Sequence, residues 1–235
     1  VRILDLFCGV GGAGMGYHRA GWDVVGVDIR FQPNYPFPFV QSDALRALRA
    51  LYEGERLYTG TEYFELADFD AIHASPPCKL FTNMARMQDH VLRLFEPHQD
   101  WLTPTREHLE TIGLPFVIEN VVGAPMRKPI LLCGSMFDET IRIRRHRLFE
   151  KNWPMARVPR CRHYRQSDVV GVYGDGGDWE RTRPGGGGRK VAGPEAAKAL
   201  GIDWTEHQPE LAQAIPPAYT ELLGIQLAAR LAVSA

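Results

Sequence analysis

Residues 70–82, "DAIHASPPCKLFT", end an apolar run in two prolines and a cysteine before the chain turns polar. Pro76 and Pro77 fix their own φ angles and remove two backbone donors, so the direction in which Cys78 leaves the run is set in advance. A buried cysteine is ordinarily a small core hydrophobe. A thiol at the end of a strand, followed by "KLFTN", reads instead as a nucleophile. A free thiol titrates near about 8.5, so a cationic or dipolar neighbour is expected to activate it. A second apolar run, "VIENV" (117–121), carries Glu119 and Asn120 at its end. Half-buried there, the Glu119 carboxyl is expected to titrate high and to hold a proton near neutrality. Thiol and acid are expected to point into one crevice.

The stretch "DLFCGVGGAGMG" (5–16) follows one strand-like segment and precedes a helix-like one. Its glycines, among them Gly9 and Gly11, allow close approach of a ligand and expose amides at a helix N-terminus. Asp28 lies 19 residues after Gly9, at the end of the next apolar run, where a carboxylate can take ribose hydroxyls. Asp43, in "QSDAL", closes the same crevice from a third strand end. An adenosine-containing ligand follows. The turn alone leaves a nicotinamide cofactor and S-adenosylmethionine both open.

The elements that must hold these groups alternate. Strands are predicted at 2–7, 22–29, 69–74 and 115–121, with helices near 13–20, 44–54 and 103–113. "PILLCG" and "IRIRRHRLFE" supply later strands. The expected fold class is α/β: a Rossmann-like, mostly parallel sheet with helices on both faces. Residues 1–156 form the cofactor-binding catalytic domain, 157–204 a small, loop-rich insertion, and 205–235 a helical segment that completes the first domain. The composition, 45% hydrophobic and 23% charged, is ordinary for a soluble globular protein. No apolar run reaches the ~20 residues of a membrane span, and no signal peptide is read. Four cysteines without a CxxC pair indicate neither a disulfide framework nor a zinc ribbon, and a reducing, cytoplasmic setting is expected. Cys161 and His163 in "CRHYR" lack two further ligands at suitable spacing, so no metal site is expected.

Net charge is −1, but nine basic residues fall between Arg142 and Arg165 with only Glu150 opposing them. Such a local excess either draws a phosphate backbone or forms a solvated cationic face.

"DLFCGVGG", "GVDI", "SDAL", "SPPC", "IENV" and "RRHRLF" occur in that order. Together they resemble the DNA cytosine-5 methyltransferases, and the chain looks similar to the compact members carried by bacteriophages. "QAIPPAYTELLG" (213–224) resembles that family's C-terminal motif, and the likeness covers about four-fifths of the chain. The resemblance implies a Cys78 thiolate adding to C6 of a flipped cytosine and Glu119 holding N3. It implies that Arg145 and Arg147 clasp the base and backbone. It places Phe7, Gly9, Gly11, Asp28, Asp43, Gln213 and Ala214 around S-adenosylmethionine, in a monomer acting on double-stranded DNA in a bacterial or phage-infected cytoplasm. Lys79, Arg157, Arg160, Arg162 and Arg165 are expected to meet nucleic acid, with 157–204 as the target-recognition region. Lys79 stands where the family commonly has glutamine, and Gln213 where asparagine is common. Three other readings stay open: the same chemistry on transfer RNA, a non-catalytic DNA- or cofactor-binding regulator, and a nicotinamide oxidoreductase.

Overall fold

The computed structural model describes residues 1–81, 99–138, 140–174 and 188–234. Seven strands form one sheet: β1 (Arg2–Leu6), β2 (Asp23–Asp28), β3 (Phe39–Gln41), β6 (Ala71–Ala74), β7 (Phe116–Val121), β8 (Ile130–Leu132) and β9 (Arg147–Lys151). Their spatial order is β3-β2-β1-β6-β7-β9-β8, with β4 (Leu57–Tyr58) and β5 (Tyr63–Phe64) in a separate two-stranded hairpin. β3, β2, β1, β6 and β7 run parallel to one another, whereas β9 runs antiparallel to both β7 and β8. The chain starts in mid-sheet, builds outward to β3, then returns to the other side of β1. The order therefore reverses between β1 and β6, and ligands of open α/β sheets bind at the carboxyl ends of strands flanking such a reversal.

Strand residues alternate between two cores, as the period of two requires. Leu4, Leu6, Val25 and Ile72 face α2 (Ala44–Tyr52) and α3 (Leu102–Ile112), where Leu48, Leu51 and Leu109 are buried. Ile3, Val24, Ala71 and Val117 face the opposite side, with Tyr17 of α1 (Gly12–Arg19) and Tyr219, Leu223 and Leu227 of α6 (Pro217–Ser234). The helix on this face beside α1 is thus the last in the chain. α1 admits it because Gly16 has no side chain: a Cβ there would lie 2.0 Å from Thr220 Oγ1 and 2.1 Å from the Pro217 carbonyl oxygen. Thr220 Oγ1 donates to the Ala13 carbonyl at 2.8 Å, and Trp22 Nε1 to the Gly224 carbonyl at 3.1 Å.

A third core cuts across the domain boundaries expected at 156/157 and 204/205. It joins Val10 of the glycine turn to Ile141, Ile143, Val170, Val172, Val191 and Leu200, and to Leu211 and Ala214. Here β10 (Val170–Gly171) pairs in parallel with β11 (Arg189–Lys190), followed by α4 (Gly193–Leu200) and α5 (Gln208–Gln213). The described part of 157–204 is therefore welded to the main body. Among the described residues, no helix is long and apolar enough to cross a membrane.

Candidate active site

The sheet delivers its reactive groups to one end. β6 stops at Ala74, and Pro76 and Pro77 carry the chain to Cys78, which is partly buried, before a single 3₁₀ turn at Lys79–Phe81. Glu119, on the neighbouring β7, is 7% exposed. The next residue ties the two strand ends together: buried Asn120 donates from Nδ2 to the Pro76 carbonyl at 3.1 Å. The antiparallel return of β9 supplies the cation. Arg147 lies opposite Val121 and Leu132, and its Nε stands 2.9 Å from Glu119 Oε1. The angle falls outside hydrogen-bonding geometry, and Glu119 Oε1 is buried without a hydrogen-bond donor of its own.

Burial pushes the Glu119 carboxyl up, and the charges of Arg147 and Arg145 only partly oppose it. The Cys78 thiol is also pushed up, first by burial and then by the charge of Glu119; Arg147 and Arg145 pull it down by less. This departs from the expectation that a neighbouring cation would depress the thiol. The two arginines are there, but burial and a carboxylate outweigh them. Thiol and acid therefore sense each other: a proton on Glu119 removes the repulsion that disfavours the thiolate.

Arg145 is placed differently from Arg147. Its guanidinium donates to the carbonyls of Leu211 (3.3 Å), Ala214 and Val172, and its own carbonyl accepts from Tyr219 Oη at 2.6 Å. Burial lowers it to about 9, so it is a cation at neutral pH. Its donors are committed to backbone at Val172 and at Leu211 and Ala214. It positions these elements, where the resemblance implied a clasp on a base.

Around the glycine turn, Phe7 takes a positive φ of 56° and Gly9 one of 50°. Phe7 is strained, since a side chain is rarely accommodated in the left-handed region. A Cβ at Gly9 would meet nothing within 4 Å, so the backbone there faces open space. Gly11 caps α1. Asp28, at the end of β2, accepts the Gly9 amide at 3.0 Å and the Arg30 amide at 2.9 Å, which fixes the turn against the second strand. Asp43 caps α2 by accepting the Arg46 amide at 2.9 Å. Ala214 is buried beside Arg145, whereas Gln213 is exposed and its Nε2 donates to the Pro209 carbonyl.

Sequence reasoning missed Tyr35 and Asp5. Tyr35 lies in the β1–β2 crevice, where a Cβ at Gly26 would stand 2.3 Å from its ring, and its hydroxyl donates to Asp5 Oδ2 at 3.3 Å. Fully buried Asp5 is pushed up to about 7, chiefly by burial. The glycine at 26, in the middle of an apolar run, was the available signal for Tyr35, because such a gap implies a close-packed neighbour.

Lys79, Arg157, Arg160, Arg162 and Arg165 are all exposed. Other basic residues of the cluster turn inward. Arg142 pairs with Asp168 and Glu195, and Arg144 donates to the His163 carbonyl. The outward-facing arginines sit beside Tyr164, which is 81% exposed and stacks under Arg165 at 5.7 Å.

No protein-family model matches the chain. A type II methyltransferase, M.AgeI of Thalassovita gelatinovora, is 25% identical over 132 residues, which are 52% of this chain and 28% of that protein's length. The chain thus spans well under a third of this curated relative. Three solved structures align over nearly all of both chains. The Dnmt2 methyltransferase of S. pombe has a TM-score of 0.61 at 14% identity, covering 98% of this chain and 99% of its own. The EhMeth methyltransferase of Entamoeba histolytica has 0.58 at 14%, covering 98% of each chain. A protein described as a DNA modification methyltransferase from an E. coli prophage has 0.55 at 16%, covering 99% of each. At these identities the likeness speaks for architecture. The chain shares the Rossmann-like α/β fold of these solved methyltransferases.

Proposed function

We propose that this protein methylates C5 of cytosine in DNA, using S-adenosylmethionine and a transient bond between Cys78 and C6 of a base flipped out of the duplex. The observation that carries this reading is the meeting of Cys78, Glu119 and Arg147 at adjacent strand ends, where the charge of one bears on the others. Neither a glycine-turn regulator nor a nicotinamide oxidoreductase needs a thiol coupled to a buried acid. The prophage protein described as a DNA modification methyltransferase supports the polymer.

The residues present fit the cofactor. Gly9 leaves an open cradle beside the strand-end carboxylate of Asp28, with Asp43 capping the helix after the third strand. Phe7, Gly9, Gly11, Asp28 and Asp43 would hold the adenosyl part, and the backbone at Gln213 and Ala214 its methionine end. When bound, S-adenosylmethionine supplies an electrophilic methyl group on sulfur.

Cytosine C5 is too poor a nucleophile to take that methyl unaided. Cys78 sulfur adds to C6, and the electron pair displaced toward N3 is met by the proton of Glu119, whose burial favours the protonated form. C5, made electron-rich, could then accept the methyl that the cofactor would supply, the electron pair of the broken methyl–sulfur bond staying on that sulfur. Loss of the C5 proton to water re-forms the C5–C6 double bond, the C6–S bond breaks with its electron pair leaving on the thiolate, and the N3 proton returns to Glu119, which restores the ring. Arg147 holds Glu119 in place and offers a cation to the base's O2. Flipping costs a few kcal/mol, offset by contacts to the exposed arginines and Lys79. We place the protein, as a monomer, in a bacterial or phage-infected cytoplasm.

Denaturing electrophoresis with a duplex bearing 5-fluorocytosine tests this. Fluorine cannot leave C5 as a proton does, so a covalent adduct dependent on S-adenosylmethionine is expected, absent in Cys78→Ala. An adduct on a transfer RNA substrate only would move the activity to RNA. None on either polymer, with cofactor bound, would overturn the reading.

A further inference from the structure

Along the sequence, Cys161 and His163 have no second pair of metal ligands nearby. The fold supplies that pair. Cys133, just after β8, and His146, just before β9, approach them so that the four ligand atoms all lie within 4.8 Å of one another. Cys133 Sγ is 3.2 Å from His163 Nε2, and Cys161 Sγ is 3.5 Å from His146 Nε2. The two imidazole centroids are 5.1 Å apart. Among the described residues no other group of three or more cysteines, histidines and carboxylates converges in this way. The expectation of no metal site, drawn from spacing alone, does not survive this convergence.

The distances match a specific ion. Zinc bound tetrahedrally, with Zn–S near 2.3 Å and Zn–N near 2.0–2.1 Å, sets sulfur and nitrogen ligands about 3.5 Å apart. Both sulfur–nitrogen contacts fall at or just inside that edge length. Two thiolates with two imidazoles form a soft, neutralising donor set suited to Zn²⁺, and four protein ligands close the coordination sphere, as in structural sites. Outer partners are also in place. Ser135 Oγ lies 3.2 Å from Cys133 Sγ and accepts the Arg162 amide at 3.0 Å. Arg144 holds the His163 carbonyl at 3.0 Å. Cys161 and Arg162 reach solvent, which gives an ion a way in.

We propose that Cys133, His146, Cys161 and His163 bind one structural zinc ion. The four ligands come from three separate segments. The ion pins the start of the recognition region to the strand that bears Arg147 and to Arg145 just before it, since His146 stands between those two. The metal takes no part in the reaction: both sulfurs and both nitrogens are consumed by coordination. The inference is independent of the proposed methyl transfer, and either can fail alone.

Metal analysis of the full chain purified without chelator, from cells given zinc, is expected to find about one zinc per chain. Replacing it with Co²⁺ should give the intense visible bands of tetrahedral coordination, together with a thiolate-to-metal charge-transfer band. Cys161→Ser and His163→Gln should each lose the charge-transfer intensity or the tetrahedral bands. Circular dichroism on the same samples shows whether they are folded. Chelation of the wild type should lower its melting temperature, and zinc should restore it. Metal-free protein that takes up no Co²⁺ would overturn the proposal. So would a native mass 2 Da low from a Cys133–Cys161 disulfide, or Co²⁺ spectra unchanged in both variants (about 2 Da is two hydrogens removed on oxidation).

Discussion

Burial raises the cost of ionising both Cys78 and Glu119, and the Glu119 carboxylate adds to the cost at the thiol. In the proposed reaction the competent form carries one proton between them, on the acid rather than the sulfur. It is depleted in acid, when both are protonated, and in alkali, when neither is, so kcat/KM should follow a bell in pH. Glu119→Gln removes a negative charge beside the thiol. The alkylation midpoint of Cys78 by iodoacetamide, followed by peptide mapping, should therefore move to lower pH. Methyl transfer by the same variant should fall by about 10²–10⁴-fold, the usual worth of a positioned acid. An unmoved alkylation midpoint would show that the two groups do not sense each other. The approach of Cys78 and Glu119 to one end of the sheet was legible in the sequence from two apolar runs, although Cys78 lies four residues past β6 and Glu119 two residues inside β7. The role of Arg145 was not legible. Its partners are backbone carbonyls of Val172, Leu211 and Ala214, 27 to 69 residues away, and carbonyls have no signature in a sequence.

At the scale of elements, the joint between α1 and α6 depends on the absence of a methyl group at Gly16. Gly16→Ala would force the helices apart against Thr220 and Pro217. It should cost about 1–3 kcal/mol in denaturant unfolding, the usual effect of overpacking, despite alanine's better helix propensity. A second prediction concerns Asp5 on β1, whose Oδ1 has no hydrogen-bond donor. Its folded-state value, about 7, stands above the ordinary 3.8. Between these values the folded protein holds a proton that the unfolded chain has lost, so the contribution of Asp5 to stability falls as pH rises from about 4 to 7. At ~1.4 kcal/mol for each tenfold change, that fall is roughly 4 kcal/mol at most. The melting point of wild type relative to Asp5→Asn should therefore fall in melts taken from pH 5 to 8; a difference that stays constant over that range would contradict it. The elements that periodicity predicted lie within two or three residues of those observed, whereas β4, β5, β10, β11, α4 and α5 were not predicted. In "IRIRRHRLFE" only Arg147–Lys151 is a strand. Ahead of it, Ile141 and Ile143 alternate correctly but are buried in the third core instead of the sheet.

Over the whole molecule, the basic cluster divides in two. Arg142, Arg144, Arg145 and Arg147 are engaged by internal partners, and Arg157, Arg160, Arg162 and Arg165 face solvent. Changing the outer four to alanine should weaken duplex binding and make its salt dependence shallower, by about 0.9 in slope for each phosphate no longer neutralised. Binding of S-adenosylmethionine should be unaffected, as calorimetry would show. An unchanged slope would make this patch a solvated face. The alternation of strands and helices was legible because each element buries its own side chains at a local period. The expected boundaries at 156 and 204 were not sharp in the structure, because Val10, Val170 and Leu211 meet only through tertiary packing.

The grip of Arg145 on two stretches of backbone, at Val172 and at Leu211–Ala214, has a consequence for how the molecule comes apart. Peeling away either of those stretches would strand a desolvated guanidinium with too few acceptors, and the Tyr219 hydroxyl fastens the final helix to the same residue. No subdomain can then melt ahead of the others, and calorimetry should record one cooperative endotherm, which Arg145→Met should split or broaden.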